Sequence, residues 1–259
     1  MSINIKNMML EQQNKFIEDN TVLLGYRGSV AHNMYMPNTD PNSVDDIDLM
    51  GVFMAPVDHY IGIKKSKETV EKFIDQWDVV NYEFKKFVLL LLKSNPNVLS
   101  LLWIKGDHYI YSNDYGKMLV ENRDLFVSTK VYQSFTGYAY GQLKKMTRAS
   151  TKGYMGAKRK QLVEKYGYDC KNAAHCIRLL KMGIEFLIDG KLNVFREDAS
   201  LLLEIKRGKW KLDDVKDEAK RLFILADEAY LKSTLPAEPD YEQVNELVKT
   251  IMRNYINRN

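Results

Sequence analysis

The chain has 259 residues, enough for one large domain or two small ones with a substantial apolar core. Apolar residues make up 45% and charged residues 28%, the balance of an ordinary globular protein, and a formal charge of +4 is too slight to demand a nucleic-acid partner. Only two cysteines occur, Cys170 and Cys176; they argue against a disulfide framework, match no zinc spacing, and read as buried, inert thiols.

In chain order, residues 1–20 are polar and lack the apolar core of a signal peptide. The longest apolar run, 87–92, is far too short to span a bilayer, so the chain reads as soluble and cytoplasmic, with no membrane partner. Apolar residues at helical spacing predict a first helix over 8–19. Val22-Leu23-Leu24 begins a predicted strand over 22–27; Ser29 then caps a short helix to Met34, which Pro37 ends. Residues 38–45 form a polar loop of turn residues, followed by a strand over 47–54. After a loop around Ile61-Gly62-Ile63, an extended run covers 71–82, and a helix over 82–92 stops at Asn95-Pro96-Asn97. From Gly116 onward helical periodicity dominates, with frequent basic and aromatic residues. A soft boundary near 115–130 therefore separates a mixed α/β portion, 1–120, from a mostly helical portion, 121–259. Leu235-Pro236-Ala237-Glu238-Pro239 is an extended break before a final helix through Asn254. The fold class is α+β.

The stretch that carries chemistry is Gly25-Tyr26-Arg27-Gly28-Ser29, with Asp46-Ile47-Asp48 seventeen positions after Ser29. Strand side chains alternate between faces, so Asp46 and Asp48 point the same way. Two carboxylates beside a turn with free backbone N–H groups can hold a divalent metal and a polyphosphate together. Magnesium prefers hard oxygen ligands, and a third acid on a neighbouring strand completes such a set. Asp78 is the choice, because it interrupts an extended apolar segment; Asp75 and Glu83 are the alternatives. An Asp-x-Asp pair alone often only solvates a loop end. The upstream strand, the Gly-Ser turn and the third acid together favour nucleotidyl transfer.

The order strand, Gly-Ser, helix, loop, Asp-x-Asp, strand resembles the polymerase-β-type nucleotidyltransferase superfamily, and within it the nucleotidyltransferases associated with RNA ligases in repair operons. The stretch from Asp78 to Phe87, Asn95-Pro96-Asn97, Leu101-Leu102-Trp103, Gly137-Tyr138-Ala139, the stretch from Lys171 to Leu180, and Leu235-Pro236 to Pro239-Asp240 carry that likeness over roughly residues 20–250. It implies a polymerase-β-like mixed sheet with a helical C-terminal domain. It also implies two Mg²⁺ ions, with Mn²⁺ as a substitute, held by Asp46, Asp48 and Asp78. Gly28 and Ser29 would bind the β and γ phosphates of a nucleoside triphosphate such as ATP, and Asp78 would help the acceptor hydroxyl lose its proton. The acceptor the likeness implies is an RNA or tRNA 3′ end. The rival acceptors are a small molecule or a protein hydroxyl, and the non-enzymatic rival is a nucleotide- or RNA-binding module. The gap between Gly-Ser and Asp-x-Asp is longer than in compact members, with the extra residues inside 38–43.

At about 100° per residue, Lys171, His175, Arg178 and Met182 fall on one face of a helix, opposite Ala173, Ile177, Leu180, Ile184 and Leu187. That polar face is either solvated or lines the cleft. With the likeness, Lys171 and Arg178 meet triphosphate oxygens, and His175 donates a hydrogen bond to phosphate or base. His32 reaches the phosphate region or packs, while His59 and His108 read as surface loop residues. A basic stretch from Lys144 to Lys160, interleaved with tyrosines, reads as a charged helix surface or as a single-stranded RNA path.

Overall fold

The computed structural model describes residues 16, 18, 20–147 and 156–258. The predicted helix at 8–19 falls almost wholly outside them, as does the middle of the basic stretch.

Strand β1 (Thr21–Tyr26) is buried along its whole length, which is why it reads as an unbroken apolar run. It leads into a single-turn helix, α1 (Gly28–Ala31), then a long polar loop, then β2 (Ile47–Phe53). A short helix α2 (Val57–Ile61) precedes the hairpin β3 (Thr69–Ile74) and β4 (Trp77–Glu83). The run expected to be one extended segment is thus two strands. Asp75 makes the turn with a left-handed φ of 55°, a conformation Asp tolerates better than most residues. Ser29 is likewise not a cap: Arg27 holds that position, and Ser29 lies inside the first turn.

Helix α3 (Phe84–Leu91) starts where Glu83 accepts hydrogen bonds from the Lys85 and Lys86 amides. Asn95 ends nothing by itself but caps the next helix, α4 (Pro96–Ser100). Strand β5 (Tyr109–Ser112) completes a sheet in the order β3-β4-β2-β1-β5. Only β2 and β4 run parallel, and their register sets Asp48 directly beside Asp78.

The remainder is helical: α5 (Asp114–Glu121), α6 (Val131–Thr147), α7 (Ala157–Tyr166), α8 (Cys170–Asp189), α9 (Ala199–Lys206), α10 (Leu212–Lys232) and α11 (Tyr241–Arg258). Helix α8 is capped by Asp169 and ends at Gly190, whose φ of 66° suits glycine. It packs against α6, α9 and α10, and Gly183 lets it approach Phe135 of α6 closely. One apolar cluster runs from Leu24 and Leu49 in the sheet through Phe87 and Leu102 to Phe135, Ile177 and Phe186. Cys170 and Cys176 are free and buried within it, their thiols pushed up to about 11 and about 12 by burial. No helix among the described residues is long and apolar enough to cross a membrane.

The loop between α1 and β2 is held by the helical half. Lys206 of α9 donates to the Met34 carbonyl at 2.9 Å and pairs with the fully buried Asp45 carboxylate. Asp45 also accepts from the Met36 amide at 3.0 Å, and Lys171 donates to the Val44 carbonyl at 2.9 Å. Farther out, Tyr166 donates to Asn42 at 2.7 Å and Arg207 pairs with Asp40 at 3.3 Å. Residues that look like loop insertion in the sequence are therefore latched in place.

Candidate active site

A cleft of about 470 Å³ opens between the ends of β1, β2 and β4 and the helices α6 and α8. Asp46, Asp48 and Asp78 line its sheet side, with Gly28 beside them. Asp46 is exposed and the other two are half-buried. Gly28 is required there: its φ is +59°, and a β-carbon would lie 2.1 Å from Asp48 Oδ2. The Arg27 amide donates to the Asp48 carbonyl at 2.9 Å, which ties the Gly-Ser turn to β2.

Burial raises the Asp48 carboxyl to about 6, against the pull of Arg27 and Lys171 and with the push of Asp78 and Asp46. Of the alternative third acids, Glu83 is already engaged, capping α3 and accepting from the Tyr60 hydroxyl, and Asp75 sits in the β3–β4 turn. The register that aligns Asp78 with Asp48 could not be read from either strand alone.

The helical side of the cleft carries Lys145, Arg159, Lys171, His175 and Arg178. The polar face of α8 is thus not a solvated one: Arg178 is buried, Met182 beside it is buried, and Lys171 and His175 are half-buried. Burial, then the neighbouring Arg196, lowers the Arg178 guanidinium to about 9, while the Asp48 charge pulls it back. Its Nε has no hydrogen-bond partner among the described residues, and neither has the buried Ser29 hydroxyl. A buried, unsatisfied donor on Arg178, which lines the cleft, suits an oxyanion-rich ligand.

Burial and the surrounding cations push His175 and His32 well below the ordinary histidine range, so both are neutral at pH 7. His32 Nδ1 lies 2.8 Å from the Val194 carbonyl, which can only accept, so this nitrogen carries the proton. His108 is not the surface residue its loop suggests. Its ring packs between Tyr26 and Phe195, each centroid 5.9 Å away. His59 lies on α2 and accepts from the Ser66 amide at 2.9 Å.

A profile of one protein family, described as RNA repair pathway DNA polymerase beta, matches residues 8–249. The chain belongs to that family. This polymerase-β-type protein is also similar to the uncharacterized protein MJ0002 of Methanocaldococcus jannaschii, with 27% identity over 217 residues, covering 75% of this chain and 81% of the relative. A nucleotidyltransferase-like protein from Exiguobacterium sibiricum 255-15 aligns over 96% of this chain and 79% of its own at 11% identity, but the TM-score of 0.31 is too low to carry an argument.

In this RNA-repair polymerase-β-type chain, the donor set at the sheet edge is three hard carboxylates, the chemistry a divalent ion of the magnesium type takes. As the side chains stand, no three His, Cys, Asp or Glu residues among those described are close enough to enclose an ion. The Arg27 guanidinium reaches in from the sheet side, with Nη2 3.0 Å from Asp78 Oδ2 and 3.6 Å from Asp48 Oδ1. Arg27 has no role in the motif read from the sequence; its place immediately before Gly28 is the available signal. Ser100 and Gln142 also line the cleft and stand in no motif, while Asn97 belongs to the Asn95-Pro96-Asn97 stretch that carries the family likeness.

Proposed function

We propose that this protein is a metal-dependent nucleotidyltransferase that moves a nucleoside monophosphate from a nucleoside triphosphate onto the 3′ hydroxyl of an RNA or tRNA. The observation that carries the reading is the meeting of three aspartates and an unsatisfied, buried Arg178 across one cleft.

Asp46, Asp48 and Asp78 are the residues that would hold two Mg²⁺ or Mn²⁺ ions, and such ions neutralise phosphate charge and favour the ionised acceptor hydroxyl. Gly28 and the Ser29 hydroxyl receive the β and γ phosphates, with the backbone close because the turn has no β-carbon at position 28. Lys171 and Arg178 meet the same oxygens from α8, and the neutral His175 beside them offers a hydrogen bond without adding charge. Asp78, more exposed than Asp48, faces the side from which an acceptor arrives and takes part in removing its proton. The acceptor oxygen bonds to the α-phosphorus as the bond to the β-phosphate oxygen breaks, and pyrophosphate leaves. The catalytic groups come from residues 1–120, and residues 121–259 supply the cations opposite. The basic surface around Lys144, continuing to Lys160, is where the RNA strand would run. A cytoplasmic setting fits this role.

The test is incubation with each labelled nucleoside triphosphate, Mg²⁺ and a pool of small RNAs, followed by separation of RNA from free nucleotide. Label in RNA, with pyrophosphate released in equal amount, supports the reading. Pyrophosphate released only with a small-molecule or protein acceptor would reassign the acceptor. Triphosphate binding with no turnover on any acceptor would make the protein a binding module.

A further inference from the structure

We propose that Arg27 is an internal cation that holds the two facing carboxylates, Asp48 and Asp78, in position until a divalent ion displaces it. The inference rests on reading those aspartates as metal ligands and adds a residue that controls how they are filled.

Asp48 and Asp78 are register partners on parallel strands, so their side chains leave the sheet side by side on one face. Two carboxylates so placed repel, and the Arg27 side chain offsets that repulsion. Its Nη2 donates to Asp78 Oδ2 at 3.0 Å and stands 3.6 Å from Asp48 Oδ1. An ion bridging the two aspartates through these oxygens would compete with the guanidinium for them.

The arrangement suits a residue that leaves. Only one nitrogen bridges the pair, in place of the two parallel bonds that make an arginine–carboxylate contact strong. Arg27 Nε is buried and has no hydrogen-bond partner among the described residues, so the guanidinium is incompletely satisfied in this position. The backbone, by contrast, is fixed: the Arg27 amide bonds to the Asp48 carbonyl and Gly28 follows in its left-handed turn. Displacement therefore needs only side-chain rotation, and the turn that faces the phosphates stays in place. Arg27 lines the same cleft, so the freed guanidinium remains near the triphosphate oxygens.

The experiment measures Mn²⁺ affinity of the full chain without nucleotide, by electron paramagnetic resonance, for the wild type, Arg27→Met, Arg27→Lys and Asp48→Asn. Removing the competitor is expected to tighten Mn²⁺ binding about threefold in Arg27→Met, the scale set by a partly exposed ion pair. Arg27→Lys, which keeps a charge but loses the planar fork, should lie between. Metal-free Arg27→Met should also melt below the wild type, and saturating Mn²⁺ should abolish the difference. A purely structural role would weaken Mn²⁺ binding, so equal or weaker binding by both variants overturns the proposal while the metal reading stands. If neither wild type nor Arg27→Met binds Mn²⁺, or if Asp48→Asn binds as well as wild type, the metal reading itself fails and the proposal with it. Should Arg27→Met not fold, Arg27→Lys alone decides by the direction of its shift.

Discussion

The two sides of the cleft are built on opposite plans. The sheet side presents its aspartates at strand ends, half open to solvent, joined through a single arginine. The helical side is graded: Arg178 is buried in α8's packing, where burial and Arg196 lower its pKa to about 9, while Arg159 and Lys171 are half-buried and Lys145 is exposed. An open acidic side can take up and release ions as ligands come and go. The buried Arg178 is a fixed charge, already desolvated before any anion arrives, which costs stability in the free protein and strengthens its contact with a bound phosphate. The contrast places exchange on one side and pre-organisation on the other.

That contrast can be broken most directly at the acidic side. Asp46→Asn and Asp48→Asn should each lower nucleotidyl transfer by about a hundredfold or more, comparable to losing a major electrostatic contribution. Circular dichroism should show the fold intact, and near-normal turnover in either variant would remove these residues from the chemistry.

The latch behind the acidic side comes next. Lys206→Ala leaves the buried Asp45 carboxylate without its main partner, and breaking such a pair costs roughly 3 kcal/mol. In a chain of this size that corresponds to a melting temperature lowered by roughly 10 °C. A loss below about 1 kcal/mol would mean that the loop holds itself.

On the basic side, Lys171→Ala combined with Arg178→Ala should weaken triphosphate binding about tenfold or more in calorimetry, since hydrogen bonds to charged groups are the strong ones. Unchanged affinity would make that side a packing device.

A further expectation concerns pH. Asp48 has a folded pKa of about 6 against 3.8 in the unfolded chain, so the folded state binds this proton more tightly. Its ionised form therefore costs stability at pH 7 to 8, and the cost fades as pH falls through 6 toward 4. Metal-free Asp48→Asn should be more stable than wild type at pH 8 by about 3 kcal/mol, converging with it near pH 4. A constant difference across that range would show that burial does not govern this carboxylate.

What could be read in the sequence was local or periodic. The β1 run, the Gly28-Ser29 turn, the Asp46 and Asp48 pair and the α8 stripe each follow from spacing within a few residues, and the structure has them in these elements. What could not be read depends on pairing across the chain. The parallel register that sets Asp78 beside Asp48 joins two strands separated by a helix and a third strand. The Asp45–Lys206 pair unites residues 161 apart, and neither partner stands in a motif. The hairpin inside 71–82 was missed because Asp75 and Gln76 turn the chain without a glycine or proline to mark them. Arg27 was in view throughout, but its role depends on where Asp78 arrives.

The latch on the loop before β2 also bears on how the protein is made. Met34, Asp40 and Asp45 find their partners at Lys206 and Arg207, which leave the ribosome long after the strands themselves. Contacts of such separation close late in folding. A nascent or truncated chain lacking α9 would carry every aspartate of the sheet side, with the segment that leads into β2 still unfastened. Synthesis through α9 is thereby required before the segment that leads into β2 can be fastened.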